Sequence, residues 1–358
     1  MTFLKVVINL TLAGVGLWVA IKILSLVFDT ATDKIISMPA SGRKIMLGVL
    51  LALLLLIPLA LGNSPYLMRT IVIIGIYIIL ALSLNLVVGF AGQLSMGHAA
   101  FYGIGAYTTA LLTVSFGMSF WLALLISCLV AALFGLLLGI PTLRLKGDYL
   151  AITTIGFGEI VRLILVNWVG FTRGPAGIPG IPSPSLFGYS ISSNGQWYYL
   201  LLVVVILVVI VSQNLLKSRL GRGLIAVRDN EIAAEAMGIN PTILKITAFA
   251  LGAAIAGIGG SMFAGYVHYV NPDNFTYMES VIILTMVVLG GSGSIPGVIV
   301  GAIVLAALPE LLRDVQLYRY AIYGLMLIIL MISRPQGMIS TSGVKGGARS
   351  WRFWKPAR

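Results

Sequence analysis

Glu159 and Arg162 stand three residues apart inside a long apolar run, a spacing that brings two side chains onto one face of a helix. Glu159 lies roughly 16 Å along that helix from Asp148, near the middle of a bilayer-spanning segment. An unpaired charge at that depth costs about 3 kcal/mol or more, so the two should pair and face protein or water. They read either as a structural ion pair or as the charged lining of a path or of a contact with a second membrane subunit. His98 sits just inside the helix that follows a glycine-rich break. A lone histidine there is expected to make an interhelical hydrogen bond, the alternative being proton handling. None of these residues forms a catalytic pattern. The chain holds no Gly-x-x-x-x-Gly-Lys-Ser/Thr phosphate loop, no His-Glu-x-x-His, no Cys/His cluster and no nucleophile elbow. Any work done with ATP must therefore use a nucleotide site on another polypeptide.

Two stretches interrupt apolar helices. In the first, Gly89, Gly92 and Gly97 flank Gln93 and Ser95; in the second, Gly290, Gly291, Gly293 and Pro296 surround Ser292 and Ser294. A break at membrane depth exposes backbone groups and is tolerated only where protein or water satisfies them. Such broken helices can line a transport path or gate, which makes Gly92, Gln93, Ser95, His98, Ser292 and Ser294 candidates alongside Glu159 and Arg162. The competing reading is close-packing glycines or short loops at the cytoplasmic face. Val87-Val88 … Gly97 and Val287-Val288 … Gly297 align at a constant offset of 200, as an internal duplication would.

The elements that carry these residues follow from composition. The chain has 358 residues, 59% hydrophobic and 9% charged, with a mean hydropathy of +1.04. Soluble domains carry about 25% charged residues, which excludes that class, and disorder requires low hydrophobicity. The fold class is all-α: a polytopic membrane protein of about 10–11 transmembrane helices, some interrupted by Gly and Pro. Spans are expected at roughly 4–28, 45–62, 69–88, 97–116, 119–140, 149–168, 197–215, 243–268, 277–290, 295–309 and 317–333. The single cysteine, Cys128, excludes an intrachain disulfide.

The net charge of +12 is unevenly placed. Most Lys and Arg fall in 29–44, 141–148, 215–245 and the tail from 334, which all lie on one side if the spans above are counted. The positive-inside rule makes that side cytoplasmic, with the N-terminus outside and the C-terminus inside. The tail Ser350–Arg358 mixes Trp351, Phe353 and Trp354 with cations; after a membrane span it is expected on anionic headgroups rather than on nucleic acid.

The stretch 215–245 is the longest hydrophilic segment between spans. Leu224, Val227, Ile232, Ala236 and Ile239 recur at near-helical spacing and predict one amphipathic face. Asp229 or Asn230 can cap its second half, Gly238 can end it in the left-handed conformation, and Pro241 prevents its continuation. Such a helix lies on the membrane surface or docks into a partner's groove.

Glu231-Ile232-Ala233-Ala234-Glu235-Ala236-Met237-Gly238 resembles the coupling loop of ABC importer permeases, the motif being carried by Glu231, Ala233, Ala234 and Gly238, with Arg228 beside it. The stretches 84–107, 143–162, Arg173–Gly180, Val287–Pro296 and Arg334-Pro335-Gln336-Gly337 resemble the branched-chain amino-acid permease family, LivM-type. The resemblance implies an ABC importer permease fold over 45–338, with the coupling loop at 216–243. A variable N-terminal helix and linker then occupy 1–44, and a basic cytoplasmic tail 339–358. It implies a bacterial inner-membrane importer of branched-chain or other neutral hydrophobic amino acids. The implied partners are a homologous second permease (LivH-type), two ATPase subunits carrying ATP and Mg, and a periplasmic substrate-binding protein, besides membrane lipid. No cofactor is implied on this chain. Alternatives are a related importer of urea or another small solute, and an ion-coupled secondary transporter.

The topology is directly testable. Reporters fused after Lys217 and after Arg349 should both behave as cytoplasmic, and one at Ser185 as periplasmic; the same side for Lys217 and Ser185 would refute the span count.

Overall fold

A computed structural model of the chain describes residues 64–311 except 143, 144, 146, 187 and 188, together with 52, 54–58 and 324. The expected span at 4–28, most of those at 45–62 and 317–333, the linker before residue 45 and the basic tail lie outside the described residues. Every other expected span is a helix, with its ends moved by a few residues. In chain order these are α1 (Pro65–Asn85), α2 (His98–Val114), α3 (Phe120–Thr142), α4 (Asp148–Asn167) and α5 (Asn194–Lys217), followed after two short helices by α8 (Pro241–Val267), α9 (Tyr277–Gly290) and α10 (Ile295–Leu311). The short pair is α6 (Arg219–Asp229) and α7 (Glu231–Ala236).

Local chemistry sets the boundaries. Pro65 opens α1 and Pro241 opens α8, where a missing N–H costs nothing. Ser193 and Gln196 form a reciprocal capping box at the start of α5. Ser218, Asn230 and Asn240 each cap the next helix by accepting a backbone N–H through the side chain. Gly238 takes φ +80°, the left-handed conformation expected of it. α1 passes into a π-helical turn, Leu86–Phe90, before the chain breaks.

Among the described residues, five helical segments are long and apolar enough to cross a membrane: Pro65–Phe90, Phe120–Thr142, Asp148–Asn167, Asn194–Lys217 and Pro241–Val267. α2 and α9 are shorter, at 17 and 14 residues. A full crossing takes about 20, so these are partial helices created by the breaks before α2 and after α9. The 3₁₀ turn Pro272–Phe275 precedes α9 and is driven into the bundle by Phe275, whose ring lies 4.9 Å from that of Tyr102.

α1 and α8 form the buried centre, and α3, α4 and α5 turn leucine- and isoleucine-rich stripes outward. One end of the bundle carries α6 and α7. The other carries two small antiparallel ladders, Ile178–Pro179 (β1) against Tyr269–Val270 (β4) and Ser185–Leu186 (β2) against Tyr189–Ser190 (β3). α8 packs against α2 and α3 through glycines: a Cβ on Gly105 would collide with the Gly257 backbone, and one on Gly260 with the Tyr102 carbonyl. The close approach lets hydroxyls bridge the three helices. Thr109 donates to Ser261 at 2.8 Å, and Ser127 and Ser261 lie 2.5 Å apart. In lipid, where hydrophobicity does not distinguish neighbour from solvent, such backbone contact and hydroxyl bonding hold helices together.

Gly260→Leu should therefore lower the thermal midpoint of the detergent-solubilised chain sharply, with Gly260→Ala intermediate, because even one added carbon meets backbone; overpacking of this kind typically costs about 1–3 kcal/mol.

Candidate functional site

The two breaks meet at the α6–α7 end of the bundle. Asn85, fully buried in the last turn of α1, accepts a hydrogen bond from the Gly293 backbone N–H at 2.8 Å. Gly89 lies so close that a Cβ there would collide with the Asn85 carbonyl oxygen and the Gly293 nitrogen. Gly92 (φ +68°), Gly291 (φ +107°) and Gly293 (φ +86°) hold positive φ, while at Gly97 and Gly290 a Cβ would collide with the Thr154 and Gly297 carbonyls. Arg228 reaches over this junction from the last turn of α6. Its Nη1 donates to the Gly89 carbonyl at 2.7 Å, while Nε and Nη2 donate to Asp229 Oδ1, both at 3.1 Å. Its stem covers Gly92, where a Cβ would stand 2.6 Å from the Arg228 Cγ.

The loop that carries Arg228 differs from the single amphipathic face read from spacing. Asn230 adopts an extended backbone (φ −160°, ψ 105°), so α7 restarts with a new rotation. Leu224 and Val227 are buried as expected, but Ile232 is 79% exposed and Ala236 is exposed too, whereas Ala234 is buried instead. Glu231 turns toward its own bundle, where its carboxylate accepts from Lys245 Nζ at 2.6 Å. Ala233, Met237 and Gly238 face outward with Ile232. The motif residues thus divide: Glu231 and Ala234 fasten α7 to the bundle, while Ala233 and Gly238 belong to its free surface.

Within the breaks, Gly92 and Ser292 are exposed and Gln93 is half-buried, its amide donating to the Ala91 carbonyl at 3.4 Å. Ser294 is buried and accepts from the Gly297 N–H at 3.2 Å, starting α10. Ser95 is fully buried and its hydroxyl has no protein partner. His98, also fully buried, bonds through Nε2 to Ser83 Oγ of α1 at 2.6 Å. Its Nδ1 has no partner. Ser280 of α9 accepts from the Ala99 N–H at 2.9 Å and Thr154 of α4 from the Met96 N–H at 2.9 Å. Side chains from two other helices thus satisfy backbone groups that the first break leaves open.

Glu159 and Arg162 lie apart from this cluster. They form an ion pair at 3.1 Å, and Arg162 also reaches Asp273 at 3.6 Å. The pair is part-exposed, with side-chain accessibilities of 39% for Glu159 and 28% for Arg162. Gly156, one turn before Glu159, has nothing within 4 Å of where a Cβ would be. This face of α4 is open.

Sequence reasoning missed Asn85, Asp273, Lys245, Ser83, Ser280 and Thr154. Asn85 carried a legible signal, an amide at the end of an apolar run just before a glycine-rich break. The others are ordinary polar residues whose partners lie far away in sequence. Among the described residues no group of three or more His, Cys, Asp or Glu could hold a metal ion.

With this geometry in place, comparison with known proteins is informative. A family profile described as branched-chain amino acid transport system / permease component matches residues 66–331. The chain is 44% identical over 287 residues to the high-affinity branched-chain amino acid transport system permease protein LivM of Salmonella typhimurium, covering 74% of this chain and 68% of that protein. It is 42% identical over 320 residues to LivM of Escherichia coli, covering 83% and 75%. Similarity to the LivH permease protein of Escherichia coli is lower, 25% over 300 residues, covering 75% and 92%. No solved structure matches the chain. Its helical spans and glycine-broken segments accord with that description, and the chain belongs to the permease family of branched-chain amino acid transport systems.

Proposed function

We propose that this chain is one of two homologous permeases in an ATP-driven importer of branched-chain amino acids in a bacterial inner membrane, its partners being a LivH-type permease, two ATPase subunits and a periplasmic binding protein. The α6–α7 end faces the cytoplasm, with the N-terminus outside and the C-terminus inside. The observation that carries the coupling role is α7 itself. Ile232 and Met237 are 79% and 81% exposed on a short helix fastened from behind by Glu231–Lys245 and Ala234. Large apolar side chains held out from a charged loop suit a partner's groove. Lys217, Arg219 and Arg222 flank them, consistent with the cytoplasmic side. ATP and Mg act on the partner ATPases, and this chain transmits the resulting motion.

The open face of α4 supports a second element of the reading. A part-exposed ion pair within a spanning helix is unfavourable against hydrocarbon, so the face of Gly156, Glu159 and Arg162 is assigned to the second permease or to the aqueous path between the two. Gln93, Ser95, His98, Ser292 and Ser294 sit at or near the breaks on the inward side of that path.

Two experiments test these assignments. Gly238→Val forces a β-branched residue into a left-handed turn, and Ile232→Asp puts a charge on the exposed face. Both should leave the chain inserted but reduce recovery of the ATPase subunits and uptake of labelled leucine at least several-fold; full recovery and uptake in both would refute the docking role. For the ion pair, Arg162→Gln should lower folded yield more than Glu159→Gln, because it leaves Glu159 and Asp273 without their shared cation. The Glu159→Gln/Arg162→Gln double variant should lose less than the sum of the singles, whereas strict additivity would show that the two act independently.

A further inference from the structure

α1 with its π turn, and α9, both end at the junction of the two breaks, and neither has a basic residue in its last turn. A helix C-terminus leaves carbonyl groups without intrahelical partners and carries the negative end of the helix dipole. A cation near it, bonded to a last carbonyl, is the complementary group. Here the cation comes from a third element. The Gly89 carbonyl, near the end of the π turn, receives Arg228 Nη1 at 2.7 Å. The same Nη1 lies 3.1 Å from the Cβ position of Gly293, three residues past the end of α9. Gly89 and Gly293 are themselves in backbone contact and are joined through Asn85. One guanidinium therefore bonds the Gly89 carbonyl of the first break and packs against Gly293 of the second. Only glycine leaves room for it at Gly92, where the Arg228 stem crosses the chain.

We propose that Arg228 is the positioning residue that carries motion from the coupling loop to both interrupted helices. The inference rests on the docking of α7 to an ATPase and goes beyond it, since Arg228 contacts its own bundle rather than the partner. Asp229 Oδ1 orients the guanidinium through two hydrogen bonds, so the side chain moves with α6 as a unit. α6 is packed on the bundle by Leu224 and Val227 and touches α7, from which Asn230 alone separates it in sequence. A pull on α7 therefore reaches Arg228 within three residues. When α6 shifts, the Gly89 carbonyl loses its donor and Gly293 its packing partner together. The helices beyond the two breaks, α2 and α10, are then released in the same step. Because the two segments are 200 residues apart in sequence, a single contact common to both makes their movement concerted rather than sequential.

The test uses the full importer, with both permeases, the ATPase subunits and the binding protein, reconstituted in liposomes. Arg228→Met keeps the apolar stem and removes the donors and charge; Arg228→Lys keeps the charge. Recovery of ATPase subunits, ATP hydrolysis and leucine uptake are measured on the same preparations. The expected result for Arg228→Met is ATPase recovery and hydrolysis near wild type with leucine taken up per ATP hydrolysed reduced at least tenfold, and partial restoration in Arg228→Lys. Gly92→Ala, which displaces the Arg228 stem without altering its charge, should lower the same ratio and serves if Arg228→Met does not fold. An unchanged ratio in the folded variants would overturn the proposal, as would uptake falling only in step with ATPase recovery, which would make Arg228 a docking contact. A wild-type chain that recovers no ATPase would instead overturn the docking reading, so the two failures are distinguishable.

Discussion

Backbone polar groups inside a low-dielectric bundle need partners, and this chain breaks two of its helices there. Each break frees N–H and C=O groups that an uninterrupted helix would satisfy by itself. Much of the local architecture follows from meeting that demand. Thr154 and Ser280 accept from Met96 and Ala99, Asn85 accepts from Gly293, and Arg228 donates to Gly89. These partners come from α4, α9, α1 and α6, so the breaks draw otherwise distant elements into one junction. A helix that is not self-sufficient is tied to its neighbours, and a change in any neighbour is felt at the break.

The centre of the bundle meets a different constraint. Lipid chains are as apolar as leucine, so burying leucine against leucine does little to hold spans together. α8 instead brings its backbone against α2 and α3 over Gly257 and Gly260, and Ser261 bonds Thr109 and lies within bonding distance of Ser127 in the gap so created. This packs three helices backbone to backbone, and α9 and α10 approach each other in the same way over Gly290, Gly297 and Gly301. The open face of α4 turns its ion pair partly outward, a placement that is unfavourable against hydrocarbon.

The sequence by itself determined the membrane class, the order of the spans, the two breaks and the charged loop, because each is written in local composition: hydrophobic length, glycine and proline placement, and the position of Lys and Arg. It also placed Glu159 against Arg162 and gave Gly238 its left-handed turn, since three-residue helical spacing and a single φ are local properties. Only the tertiary structure decided that the loop helix splits at Asn230 and exposes Ile232, and that Glu231 turns inward to Lys245. It alone revealed Asn85, Asp273 and Arg228 as members of networks spanning up to 208 residues of chain. The reason is physical: periodicity reports which residues share a face, but the rotation of a helix after a break, and the partner that a freed carbonyl or a lone cation finds, depend on packing among elements far apart in sequence.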